Sequence, residues 1–121
     1  MDQFKNFHSK FVNSVLSAKR DIEDIELIAV SKKQTSTAII KVINEGHLSF
    51  GENQLQEIEN KWTDLRKDYP STRLHFIGTI QGRKIKSIFI NCDEIHSVDR
   101  IKIVQEIKKL ETEMKIKKEY F

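Results

Sequence analysis

With 121 residues, 38% of them hydrophobic and 32% charged, the chain holds enough apolar material for one modest core and too little for a membrane protein. Its net charge of +3 is a small difference between 21 basic and 18 acidic residues of interspersed sign, which excludes the one-signed stripe of a nucleic-acid surface. No stretch approaches the roughly 20 apolar residues that cross a bilayer, the opening MDQFKNFHSK lacks an apolar export region, and the single Cys92 has no partner for a disulfide, so the expected location is the reducing cytoplasm.

Residues 3 to 19 place Phe4, Phe7, Phe11, Val12, Val15 and Leu16 on one stripe spaced by three and four, which predicts a first amphipathic helix. Ile25 to Ser31 is a near-continuous apolar run and predicts a strand buried on both faces, as in parallel sheets. Thr35 to Glu45 returns to helical spacing through Ala38, Ile39, Val42 and Ile43, and Gly46 ends it. A short strand at His47 to Gly51 and a helix over about Glu52 to Arg66, lined by Leu55, Ile58, Trp62 and Leu65, repeat the unit. After the turn at Asp68-Tyr69-Pro70, a third strand spans Arg73 to Gly78, with a helix at Gln81 to Ile90. A fourth strand, Glu94 to Val98, precedes a helix capped near Asp99 and lined by Ile103, Val104, Ile107 and Leu110, and KKEYF opens a further strand. No linker divides the chain.

Strict alternation of strand and helix implies parallel strands joined by right-handed crossovers, either doubly wound or closed as a barrel. In both, function sits where the carboxyl ends of the strands feed into helices. Those ends read Ser31-Lys32-Lys33, Gly51-Glu52-Asn53, Gly78-Thr79 and Ser97-Val98-Asp99. A lysine leaving a buried strand is expected to be partly desolvated, which favours the neutral amine, a nucleophile toward carbonyls. If alternation continues from Ile28 and Val30, Lys32 shares their side, the interior of a barrel, while Lys33 points out and snorkels to water. His75, inside the third strand, reads as a hydrogen-bonded core histidine; His8, His47 and His96 show no metal spacing with it, and no metal site is expected. Gly78 leaves room for a ligand or another backbone to approach. FGEN and IGTIQG fit neither the Walker pattern nor the three-glycine dinucleotide fingerprint, so these units supply no evident phosphate cradle.

Four ordered segments at these strand ends, LIAVSKK, FGENQLQE (Phe50 to Glu57), HFIGTIQGRK (His75 to Lys84) and IHSVDR (Ile95 to Arg100), resemble the pyridoxal phosphate homeostasis proteins (the YggS/PROSC family). The barrel of that family is similar to the amino-terminal domain of alanine racemases. The resemblance implies a partial (β/α)8 TIM barrel, about the first four βα units plus an amino-terminal helix. It implies a Schiff base between Lys32 and pyridoxal 5′-phosphate (PLP), with Asn53, His75, Gly78 and Ser97 lining or supporting the pocket. It also implies cofactor binding that helps control PLP levels without turnover, in proteins that are monomeric at full length. Where members commonly read SKTKP, FGENYVQE and LQSNK, this chain has SKKQT, FGENQLQE and IQGRK, so Gln54 stands for an aromatic and Arg83 for an asparagine.

An eight-unit barrel takes about 250 residues, so 1–121 is expected to be a single incomplete PLP-binding domain, the amino-terminal half of such a protein. In the family the later strands supply a glycine- and serine-rich phosphate site and an arginine near the pyridine nitrogen, so residues 1–121 alone are expected to hold PLP weakly. Two other classes stand beside this reading. One is a PLP-dependent racemase or decarboxylase, which needs a second acid or base on the opposite cofactor face. The other is a small doubly wound α/β regulatory domain in which Lys32 is a surface lysine.

Overall fold

A computed structural model describes residues 3–121. Helix α1 (Gln3–Ser17) is followed by a 3-10 turn (Ile22–Asp24), and then strands and helices alternate to the end. The strands are β1 (Ala29–Val30), β2 (Ser49–Glu52), β3 (Arg73–Phe76), β4 (Glu94–Ile95) and β5 (Glu119–Tyr120). The crossover helices are α2 (Ser36–Asn44), α3 (55–68), α4 (Ile85–Asn91, entered through a 3-10 turn at Gly82–Lys84) and α5 (Ile101–Met114). All strand pairs are parallel, and the spatial order β1-β2-β3-β4-β5 is the sequence order.

That order decides between the two architectures. Right-handed crossovers that always step the same way put every helix on one face, the winding of a barrel, whereas a doubly wound sheet reverses direction at a switch point. A single core bears this out: Ile39 and Ile43 of α2, Ile58, Trp62 and Leu65 of α3, Ile85, Ile88 and Phe89 of α4, and Ile103, Ile107 and Leu110 of α5 join Phe50, Leu74, Phe76 and Ile95 of the sheet. The doubly wound regulatory domain is therefore set aside.

The opposite face of the sheet is uncovered at its β1 edge, which corrects the expectation of a first strand buried on both sides: Val30 is 51% exposed, whereas His75 and Glu94 on the inner strands are buried. Side chains meet across that face: a Cβ added at Gly51 falls 3.0 Å from Ile28 Cγ2 and 3.1 Å from Ile77 Cδ1.

Several boundaries also differ from the spacing. The first strand shrinks from Ile25–Ser31 to Ala29–Val30, since β1 is an edge strand that can pair only where β2 reaches it. The last crossover helix is capped by Arg100, not Asp99: the carbonyl of Arg100 accepts from Ile103 and Val104, and Arg100 makes no side-chain capping bond. Helix α2 behaves as expected, with Thr35 Oγ1 accepting from the Ala38 N–H at 3.1 Å and Gly46 at φ +97° turning the chain out. Helix α3 is interrupted by a π-helical turn at Ile58–Trp62.

Cys92 is fully buried behind α4, and burial pushes its thiol up to about 12. It should be silent to Ellman's reagent in native buffer and react with one equivalent after urea unfolding. Labelling of the native protein faster than it unfolds would contradict this packing.

Candidate functional site

The first strand does not simply stop at Val30; it is folded over into a clamped turn. Ser31 still donates its N–H to Gly51, and the Gln34 N–H returns to the Ser31 carbonyl at 3.1 Å, closing a four-residue turn with Lys32 and Lys33 at its centre. Lys33 sits at φ +58° while Lys32 is not in the left-handed region, the pattern of a type II turn.

The turn rests on a buried carboxylate. Glu52, at the end of β2, is wholly buried. Its Oε2 accepts from Ser31 Oγ at 2.6 Å, from the Trp62 indole N–H at 2.8 Å and from the Lys61 ammonium at 2.9 Å. Lys61 also donates to the carbonyls of Ser31 (2.9 Å) and Gln34 (3.2 Å), the two ends of the turn, and to Glu57 (3.3 Å). Glu57 accepts in turn from the Lys33 N–H at 2.6 Å. Burial pulls the Glu57 carboxyl upward, but the Lys33 N–H and the Lys61 ammonium outweigh it and hold it below the usual carboxylate range. The π-turn makes the geometry possible, because it delivers the consecutive residues Lys61 and Trp62 to the same oxygen.

Lys32, carried by this turn, is exposed, and no hydrogen bond or ion pair engages its amine among the described residues. The partial desolvation expected of it is absent, because nothing described covers the rim. Lys33 is likewise exposed, and its backbone N–H is held by Glu57.

Asn53 and Gly78 are brought together in the next two loops. A Cβ at Gly78 would lie 2.3 Å from the Asn53 carbonyl oxygen, so this glycine exists for another backbone. Asn53 also lines a cleft of about 250 Å³ with Gln54, Phe76, Thr79, Gln81 and Lys84. Ser97 is exposed, with a left-handed φ of +61° just past β4. His75 stands one row deeper on the open face, buried, with Nε2 at 2.8 Å from Ser49 Oγ and 2.8 Å from Glu26 Oε2. Its Nδ1 lies 3.2 Å from His96 Nε2 and 3.3 Å from Glu94 Oε2. Spacing along the chain excluded a metal-like cluster at His75, but parallel pairing sets β3 beside β4 and assembles one across strands. The Ser49 hydroxyl above all, against burial and with the help of His75 and Arg73, holds Glu26 below the usual carboxylate range, and burial with the nearby His75 holds His96 below its ordinary value.

Sequence reasoning missed Glu52 and Lys61. The i,i+4 pair of Glu57 and Lys61 was visible, but nothing local says that Lys61 reaches back to Ser31.

The fold and rim define a class: a one-sided, all-parallel α/β sheet of barrel type with an exposed lysine on a rigid turn after its first strand. PipY of Synechococcus elongatus PCC7942, solved with PLP bound, superposes with a TM-score of 0.78 at 28% identity, covering 88% of this chain and 50% of PipY. An unknown protein from Bifidobacterium adolescentis superposes with a TM-score of 0.87 at 22% identity and speaks to the fold alone. The pyridoxal phosphate homeostasis protein of Vibrio alginolyticus is 38% identical over 90 residues, 73% of this chain and 39% of that protein. That of Pseudomonas aeruginosa is 41% identical over 91 residues, 75% of this chain and 39% of the relative. No family model matches. The chain is a homologue of the pyridoxal phosphate homeostasis proteins and spans about two fifths of the length of the curated relatives it matches. Among the described residues, no helix is long and apolar enough to cross a membrane.

Replacing Lys61 by Met strands a buried carboxylate, and the expected loss is about 3–5 kcal/mol in urea unfolding. The double variant Glu52→Gln/Lys61→Met should recover more than half of it; a double variant no more stable than Lys61→Met would refute the pairing. Gly78→Ala, which forces the Asn53 backbone aside, should cost about 1–3 kcal/mol, whereas Gly82→Ala, in open space, should stay within about 0.5 kcal/mol. Equal midpoints for the two would show that the loop contact is not needed.

Proposed function

We propose that residues 1–121 form a single, incomplete PLP-binding barrel domain that works in PLP homeostasis in the cytoplasm, without turnover, and holds the cofactor covalently through Lys32. PLP supplies an aldehyde, which condenses with a primary amine. Lys32 is suited to offer that amine. It stands at the carboxyl end of β1, where such folds bind ligands, on a turn fixed at both ends by Lys61. Immobilising the backbone while leaving the amine unengaged lowers the ordering cost of binding.

The fit to PLP is partial. Asn53 and Gly78, packed against each other, form the adjoining loops, Ser97 stands on the fourth, and His75 supports the face from the row beneath. For the phosphate the described residues offer little: Gly51 and Gly78 are packed, while Gly46 and Gly82 stand isolated in open space. The reading therefore expects weak retention by this chain. Homeostasis without turnover is supported by the names of the relatives. The observation that carries the proposal is the clamped Ser31–Gln34 turn presenting Lys32.

The test is reductive trapping. The chain is mixed with substoichiometric PLP, reduced with borohydride, digested and mapped by mass spectrometry. Lys32 should carry most of the label, Lys33→Ala should keep it, and Lys32→Ala should lose it. Label spread evenly over the exposed lysines, or concentrated on Lys33, would sink the assignment.

A further inference from the structure

The cluster on the open face of the sheet has chemistry of its own. A neutral imidazole carries one N–H and one lone pair, yet both nitrogens of the buried His75 face carboxylates: Nε2 meets Glu26 Oε2 at 2.8 Å, and Nδ1 meets Glu94 Oε2 at 3.3 Å. With the proton on Nε2, that N–H donates to Glu26, and Nδ1 is left as an electron-pair donor facing His96 Nε2 at 3.2 Å and Glu94 Oε2 at 3.3 Å. With no ion bound, the His96 Nε2–H serves that lone pair.

A cation on the Nδ1 side can take the place of that His96 proton. Nδ1, His96 Nε2 and the Glu94 carboxylate then all act as electron-pair donors, while the Nε2–H donates to Glu26. The spacing suits such an ion. A tetrahedral metal with ligands at about 2.0–2.1 Å separates them by about 3.3–3.4 Å, and His75 Nδ1 lies 3.2 Å from His96 Nε2 and 3.3 Å from Glu94 Oε2. All three donor atoms lie within 4.8 Å of one another. A carboxylate behind a ligating histidine, as Glu26 stands behind His75, is the usual outer support of such sites.

Arg73 opposes it, donating to Glu94 Oε2 from Nε at 3.1 Å and Nη2 at 2.8 Å. Its side chain is 47% exposed, so it can turn to water, and Glu94 retains a second oxygen. We propose that this chain binds one divalent transition-metal ion of the zinc class through His75 Nδ1, His96 Nε2 and Glu94, with Glu26 orienting His75 and a coordination position left open on the sheet face. Two imidazoles and a carboxylate are a zinc donor set. The inference goes beyond the cofactor reading and does not depend on Lys32.

The test is titration of the chelator-treated chain at neutral pH, with Zn²⁺ followed by calorimetry and Co²⁺ by visible absorption. One ion per chain is expected, with the intense visible bands of four-coordinate cobalt. His96→Ala, at a half-buried position, should weaken binding a hundredfold or more, and Glu26→Gln by about tenfold. Arg73→Ala should bind as well or better. Circular dichroism checks folding, and His96→Gln and Glu94→Gln serve if His96→Ala does not fold. The proposal is overturned if the wild-type chain takes up no ion, or if folded His96 and Glu94 variants bind like wild type. The readout involves no PLP, so its failure and the failure of Lys32 labelling are separate events.

Discussion

A carboxylate with no access to water organises the rim of this sheet. Glu52 ends β2 facing the helices, and a lone charge there would be intolerable; its Oε2 gathers a hydroxyl, an indole and an ammonium. The ammonium belongs to Lys61, which then serves both ends of the Ser31–Gln34 turn. A buried ion pair contributes little to stability compared with an apolar replacement, but it fixes geometry. What it fixes is the backbone that carries Lys32, and α3 departs from regular α-helical geometry through its π-turn to make that possible.

The two faces of the sheet illustrate a division of labour common in this architecture. Apart from the Glu52 group at its rim, the helix side is apolar and closed, from Phe50 and Trp62 through Phe89 to Ile107. The open side carries Ser49, Arg73, His75, Glu94 and His96, which satisfy one another across strands because parallel register sets His75 beside Glu94. Loops above that face are then fitted backbone to backbone, as at Gly78 and Asn53. A polar floor beneath a rim of short loops is a place where ligands are held by a few directed groups and not by a deep apolar pocket.

Much of the fold was readable from periodicity. The stripes of α2, α4 and α5 and the alternation of strand and helix reflect local spacing, so they survive into three dimensions. Strand lengths did not, because the extent of β1 is set by how far β2 runs alongside it. The cap at Arg100 was misread since Asp99, the better capping residue, points elsewhere, toward the Arg100 guanidinium. At the site, Lys32 was legible as a lysine at a strand end, and Gly78 as a place for close approach. The partners of Glu52 were not, since they come from 9, 10 and 21 positions away and depend on an irregular helix. The pairing of His75 with His96, 21 residues apart, needed the register of β3 on β4.

The sheet's neighbour order carries a kinetic meaning. Each strand meets its partner between 19 residues (His75 to Glu94) and 25 residues (Glu94 to Glu119) along the chain. Loop closure over such similar spans costs nearly the same entropy at each step, and every pairing is available once the next unit has been made. A ribosome releasing this polypeptide from its amino end delivers each of these strands directly to a waiting edge, so assembly of the described sheet can proceed vectorially, one βα unit at a time.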